Sequence, residues 1–121
     1  MIDYAKFVAG LIKSGAKILL TLTPAKINMW HMATGISGEA GELLDAIKKH
    51  VVYGKDLDIQ NVIEELGDLE FYMEGLRQEL GLSRDAIIEG NTDKLSVRYK
   101  DGYSDKAAQE RADKTNTTET V

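Results

Sequence analysis

The chain reads as an all-α fold, and three features of its 121 residues lead there. Its aliphatic and charged residues recur mostly at three- and four-residue steps instead of alternating. A single proline interrupts the whole sequence. Hydroxyl or acidic residues stand just ahead of the periodic stretches and glycines just after them, where helix caps form. A four- to five-helix bundle is therefore expected. With 43% hydrophobic residues over this length, the chain can support one cooperative domain and is too short for two. That domain is expected to span residues 1–114. Residues 115–121 have almost nothing to bury and are expected to be disordered.

Taken in order, Tyr4, Phe7, Val8, Leu11 and Ile12 repeat behind Asp3, a suitable N-cap, and the pattern stops at Ser14-Gly15. Residues 16–23 hold the run Ile18-Leu19-Leu20-Thr21-Leu22-Thr23, which suits a buried strand or a short helical turn and is read as an apolar connector. Thr23-Pro24 then opens a long helix over residues 24–50, with proline at the first position, where its missing N–H costs nothing. Glycines 35, 38 and 41 each cost that helix roughly 1 kcal/mol against alanine. They imply a close backbone approach, a ligand or a local break. A short turn at residues 52–56 precedes a third helix, 58–80, whose expected buried stripe is Ile59, Val62, Ile63, Leu66, Leu69, Met73, Leu76 and Leu80. Gly81 stops it and Ser83 caps a fourth, beginning at Arg84. Residues 91–103 concentrate cationic, amide and phenolic groups, and residues 104–114 read as a last polar helix.

Composition excludes several classes of function. A net charge of −5 and a pI near 5.0 argue against an extended grip on a nucleic-acid backbone or an anionic membrane. No apolar run reaches the roughly 18–20 residues of a transmembrane helix, and the N-terminus is unlike a signal peptide. Zero cysteines rule out disulfides and thiolate zinc sites, and two histidines leave little for an imidazole-rich one. A cytoplasmic protein is expected.

Two acidic pairs stand out, Glu39-x-x-Glu42 and Glu65-x-x-Asp68. Residues three apart on a helix share a face, with Cβ atoms about 5–6 Å apart, so each pair sets two carboxylates side by side. Like-charge repulsion makes that unfavourable unless a proton or cation is shared. Both pairs border apolar stripes, which places them between helices. Four convergent carboxylates on facing helices suit a hard divalent cation, magnesium or manganese. Trp30 and His31, two to three turns earlier, are read as a packed tryptophan and a hydrogen-bonded histidine.

Three runs carry a resemblance: Gly35-Ile36-Ser37-Gly38-Glu39-Ala40-Gly41-Glu42-Leu43, Glu64-Glu65-Leu66-Gly67-Asp68-Leu69, and Asn91-x-x-Lys94-Leu95-x-x-Arg98-Tyr99. Over roughly residues 24–113 the chain resembles the MazG-like branch of the all-α nucleoside triphosphate pyrophosphohydrolases, and the small bacteriophage-type members in particular. The resemblance implies a cytoplasmic enzyme that hydrolyses nucleoside triphosphates, deoxynucleoside triphosphates foremost, to monophosphate and pyrophosphate. It also implies a homodimer or homotetramer that binds no nucleic-acid polymer and no membrane. The metal ligands would be Glu39, Glu42, Glu65 and Asp68, holding magnesium or manganese, with Glu39 also the catalytic base. Tyr72, Asn91, Lys94, Arg98 and Tyr99 would meet the substrate. Gly38 stands where the family's first motif glutamate usually is, which leaves open the number of ions and the choice of base. Two other substrates remain open, an alarmone of the guanosine tetraphosphate type and phosphoribosyl-ATP, as does a non-catalytic helical oligomer.

Overall fold

The computed structural model describes residues 1–115. The expected disordered tail lies outside those residues except for Thr115, which closes the last helix. Among the described residues every regular element is helical: α1 Tyr4–Leu11, α2 Gly15–Leu19, α3 Pro24–Val51, α4 Ile59–Leu80, α5 Arg84–Arg98, α6 Asp105–Glu110 and α7 Ala112–Thr115. The all-α expectation holds. The chain divides into two compact units, Met1–Glu79 and a second from Leu80 onward. No helix among the described residues is long and apolar enough to cross a membrane.

The helix starts follow a single device. Side-chain oxygens of Asp3, Ser14, Thr23, Asp58, Ser83 and Ser104 each accept the backbone N–H three residues on. Each such cap satisfies one of a helix's orphan donors and contributes about 1 kcal/mol. Ser14 explains the first correction to the sequence reading. The first part of the apolar stretch is helix α2, ending at Leu19, because Ser14 caps it, and only residues 20–23 connect it to α3; a lone strand would leave its backbone groups unpaired. The expected last polar helix is also two pieces, α6 and α7. Arg111, at φ 50° and ψ 57°, breaks them in the left-handed region, which costs a residue with a Cβ roughly 1–2 kcal/mol.

In the first unit, α3 and α4 run antiparallel, and their pairings step down one helix as they step up the other. Asn28 Nδ2 donates to Glu79 Oε2 over 3.4 Å, Met32 meets Gly75, and Gly35 meets Tyr72. At both glycines the partner side chain occupies the place a Cβ would take: the Tyr72 ring at Gly35 and the Met32 sulfur at Gly75. Of the three α3 glycines, only Gly35 serves this close approach, since a Cβ on Gly38 or Gly41 would meet nothing within 4 Å.

The buried stripe expected on α4 is only half-formed. Val62, Leu69, Met73 and Leu76 are partly buried, but Ile59 and Ile63 are 55% exposed and Leu66 and Leu80 48%. Among the described residues Ala46 alone is buried, at 6% exposure. The physical reason is supply: α3 covers one side of α4, and no other helix of this unit covers the remaining apolar residues. Trp30 departs from expectation for the same reason, at 72% exposure. His31 instead sets its ring edge-on to Tyr72, centroids 6.4 Å apart.

Gly35→Ala should destabilise the protein by about 1–3 kcal/mol, because the added methyl displaces the Tyr72 ring. Gly38→Ala should stabilise it by about 1 kcal/mol, since helix propensity rises with no clash. Thermal unfolding of the two variants tests the packing: a lower Tm for Gly38→Ala than for Gly35→Ala would contradict it.

Candidate metal centre

Continuing the α3–α4 register one turn past Gly35 and Tyr72 brings the acidic pairs together. Glu39 lies one turn beyond Gly35 on α3, and Asp68 one turn before Tyr72 on α4. Glu39, Glu65 and Asp68 each present a carboxylate oxygen, and the three lie within 4.8 Å of one another. Glu39 and Glu65 are partly buried and Asp68 is exposed, so the group opens to solvent on one side. Glu42 is exposed and lies outside this triplet, although its charge still acts on Glu65.

Glu65 bears the cost of the arrangement. Its Oε2 is buried, and no donor among the described residues satisfies it. Its pKa is pushed up from 4.5 to about 7. The largest cause is a hydrogen bond with Glu39, which two carboxyl groups can make only when a proton lies between them. Partial burial comes next, then the charges of Glu39, Glu42 and Asp68. A buried anionic oxygen with no donor, beside two further carboxylates, is what a hard cation would satisfy. Metal–oxygen bonds of about 2.0–2.1 Å allow ligand oxygens to lie up to about 4 Å apart across an octahedron. Only one of the three pairs can lie trans and the others come to about 3 Å, so the triplet must close in to hold magnesium or manganese.

Tyr72, one turn past Asp68, is held by Gly35 behind it and packs edge-on to Phe71 at 5.2 Å and to His31. It forms a rigid wall on the same side of α4. The other predicted substrate residues, Asn91, Lys94, Arg98 and Tyr99, belong to the second unit, on α5 and its C-cap. Asn91 and Lys94 are exposed, while Arg98 and Tyr99 are partly buried.

Arg98 is not the free cation the sequence suggested. Its Nε donates to Asp113 Oδ1 at 2.7 Å and an Nη to Oδ2 at 3.2 Å. Sequence reasoning missed Asp113 altogether. It sits in a polar, charged segment, and only the left-handed turn at Arg111 returns it to α5. The rings of Tyr99 and Tyr103 lie 5.7 Å apart, and the Tyr103 hydroxyl donates to Asp105 at 2.8 Å.

Comparison with known families finds a match to the MazG nucleotide pyrophosphohydrolase domain over residues 29–103. That stretch is more than half of the chain and contains α4, α5 and nearly all of α3. Comparisons with curated proteins and with solved structures give no match.

The raised pKa of Glu65 has a sign that can be tested. The folded chain holds a proton there up to about pH 7, whereas the unfolded chain gives it up near the ordinary carboxylate value. Folding is therefore favoured by this group at low pH, and the contribution is lost as pH rises through about 5 to 8. Metal-free protein should show a falling Tm over that interval, and Glu65→Gln should flatten the fall. Magnesium should raise Tm more at pH 8 than at pH 5, since the cation displaces the proton. Melting curves in EDTA and in magnesium give the answer; a wild-type profile indistinguishable from that of Glu65→Gln would refute the coupling.

Proposed function

Because the chain belongs to the MazG nucleotide pyrophosphohydrolase family and is thereby a hydrolase of nucleotide phosphoanhydride bonds, we propose that it converts nucleoside triphosphates to monophosphate and pyrophosphate. Deoxynucleoside triphosphates are the preferred class and magnesium the working ion, with manganese as substitute. The observation that carries the reading is the Glu39–Glu65–Asp68 triplet, together with the buried, unpartnered Oε2 of Glu65.

Glu65 and Asp68 would hold the ion from α4 and Glu39 from α3, with Glu42 as a fourth carboxylate on the next turn whose charge already acts on Glu65. Bound there, the ion offsets phosphate charge and acidifies water. Glu39 accepts the proton of the attacking water, a role supported by its partial burial and its place in the triplet. The water attacks the α-phosphorus and pyrophosphate leaves. Tyr72 flanks the nucleotide. Asn91, Lys94, Arg98 and Tyr99 meet its phosphates and sugar, an assignment that rests on the family resemblance of the segment.

Residues 1–114 are proposed to act as one domain, supported by a family match that runs through the Glu79–Leu80 junction. The working form is a homodimer or homotetramer. Its support is the uncovered apolar surface of Trp30, Leu44, Ile59, Ile63 and Phe71, between 55% and 72% exposed, which a single chain leaves in water at a cost of about 25 cal/mol per Å². The enzyme acts on free nucleotides in the cytoplasm, and a net charge of −5 disfavours nucleic-acid polymers and anionic membranes.

The test is a panel of ribo- and deoxyribonucleoside triphosphates, guanosine tetraphosphate and phosphoribosyl-ATP, incubated with magnesium and assayed for products. Pyrophosphate release from triphosphates is expected, with Glu65→Gln and Asp68→Asn each slowing it by about 100-fold or more. Turnover confined to the last two substrates would overturn the triphosphate assignment. Turnover that survives Glu65→Gln would overturn the metal centre.

A further inference from the structure

The C-terminal part of the second unit is built to hold one side chain. α5 ends at Arg98, the chain turns through Gly102 at φ 87°, α6 runs to Glu110, and Arg111 takes the left-handed conformation that reverses the chain into α7. The outcome of these turns is that Asp113 reaches Arg98 from fifteen residues away. The pair is well shielded: the Arg98 side chain is 15% exposed and that of Asp113 7%. Asp113 is held below the usual carboxylate range, first by this hydrogen bond, so it stays charged wherever the enzyme works.

Arg98 lines a cavity of about 420 Å³ together with Lys100, Ser104 and Lys106, and with two acids, Asp101 and Glu110. Glu110 is 3.7 Å from Lys106 and offsets it. Asp113 does not line the cavity. Guanidinium has five N–H donors in a rigid fork. Two of them go to Asp113, one from Nε and one from an Nη. A guanidinium gripped along one edge offers the rest in a fixed direction, the condition for bidentate recognition of a phosphate.

We propose that Asp113 is a positioning residue, which orients Arg98 so that its remaining donors meet the phosphate chain of the nucleotide substrate. The inference rests on the substrate role given to Arg98 under the proposed function. It assigns to Asp113 no contact with the substrate. Asp113 acts through Arg98 alone, so its effect disappears when Arg98 is absent.

The test uses the full chain with magnesium and a non-hydrolysable α,β-imido nucleoside triphosphate, with Kd measured by calorimetry, alongside KM, kcat and Tm for the hydrolysed substrate. Asp113→Asn should raise Kd and KM by about tenfold, within the range seen when a group supporting a ligand contact is removed, while kcat stays within about twofold. Asp113→Glu should recover most of the loss. Introducing Asp113→Asn into an Arg98→Ala background should alter Kd by less than about twofold, because coupled residues are non-additive. An unchanged Kd in Asp113→Asn, or its full effect persisting in the Arg98→Ala background, overturns the proposal. If Asp113→Asn does not fold, Arg98→Lys takes its place. It keeps the charge and loses the two-pronged grip, and it should weaken binding by about tenfold; wild-type affinity overturns the proposal. Binding is read without turnover, so the two readings fail separately. Normal hydrolysis with an unmoved Kd removes the role of Asp113 only, and a wild type that binds but never hydrolyses removes the proposed reaction only.

Discussion

The close approach of α3 and α4 at two glycines is the constraint on which the first unit depends. Side chains ordinarily keep helix axes about 8–10 Å apart. Here the Tyr72 ring fills the place of a Cβ on Gly35, and the Met32 sulfur fills it on Gly75. Each helix supplies one large residue and one gap, so the fit works in a single register. A helix turns once in 3.6 residues, and the same register carried one turn further sets Glu39 beside Glu65 and Asp68. The apolar packing thus forces an electrostatic arrangement that the carboxylates would not adopt by themselves.

That arrangement is unfavourable for the acids it brings together, and Glu65 shows where the strain collects. A proton shared with Glu39 relieves it when no cation is bound. A divalent ion relieves it more completely, since it satisfies several oxygens together. The ion would also reverse the local sign of the potential, which matters for a chain of net charge −5 that is to receive a polyphosphate. Metal binding there would release that proton and favour an anionic substrate together.

The second unit solves a different problem. The best shielded of its described cations, Arg98, is tied to Asp113 through two hydrogen bonds. Such a pair contributes little net stability when it replaces apolar packing, but it fixes direction. The glycine at 102 and the left-handed Arg111 are the backbone conditions for it. Elsewhere the chain leaves large apolar residues in water, from Leu20 at 84% to Phe71 at 67%. The core of the described residues is thin, and a folded domain retains only a small surplus of stability over its entropy cost.

Much of this was legible in the sequence because helices are written locally. The caps at Asp3, Thr23 and Ser83, the stop at Gly81 and the three-residue spacing of the acidic pairs depend only on neighbours within one turn. They sufficed for the all-α fold, for the borders of α3 and α4 and the start of α5, and for the recognition that Glu39, Glu42, Glu65 and Asp68 needed a counter-charge. What lay between helices was not written there. Periodicity marked the apolar stripe of α4 but not which half of it α3 would cover, and three glycines looked alike although only Gly35 meets a neighbour. Helical spacing made Glu39 and Glu42 an equivalent pair; the register with α4 drew in Glu39 and left Glu42 outside. Asp113 was invisible as a partner of Arg98, since a fifteen-residue separation across a left-handed turn leaves no periodic trace. The sequence by itself determined which segments are helical and which carboxylates repel one another, for these are set by bonds and distances along the chain. Only the tertiary structure decided which of those groups meet, because that depends on how closely two backbones can approach.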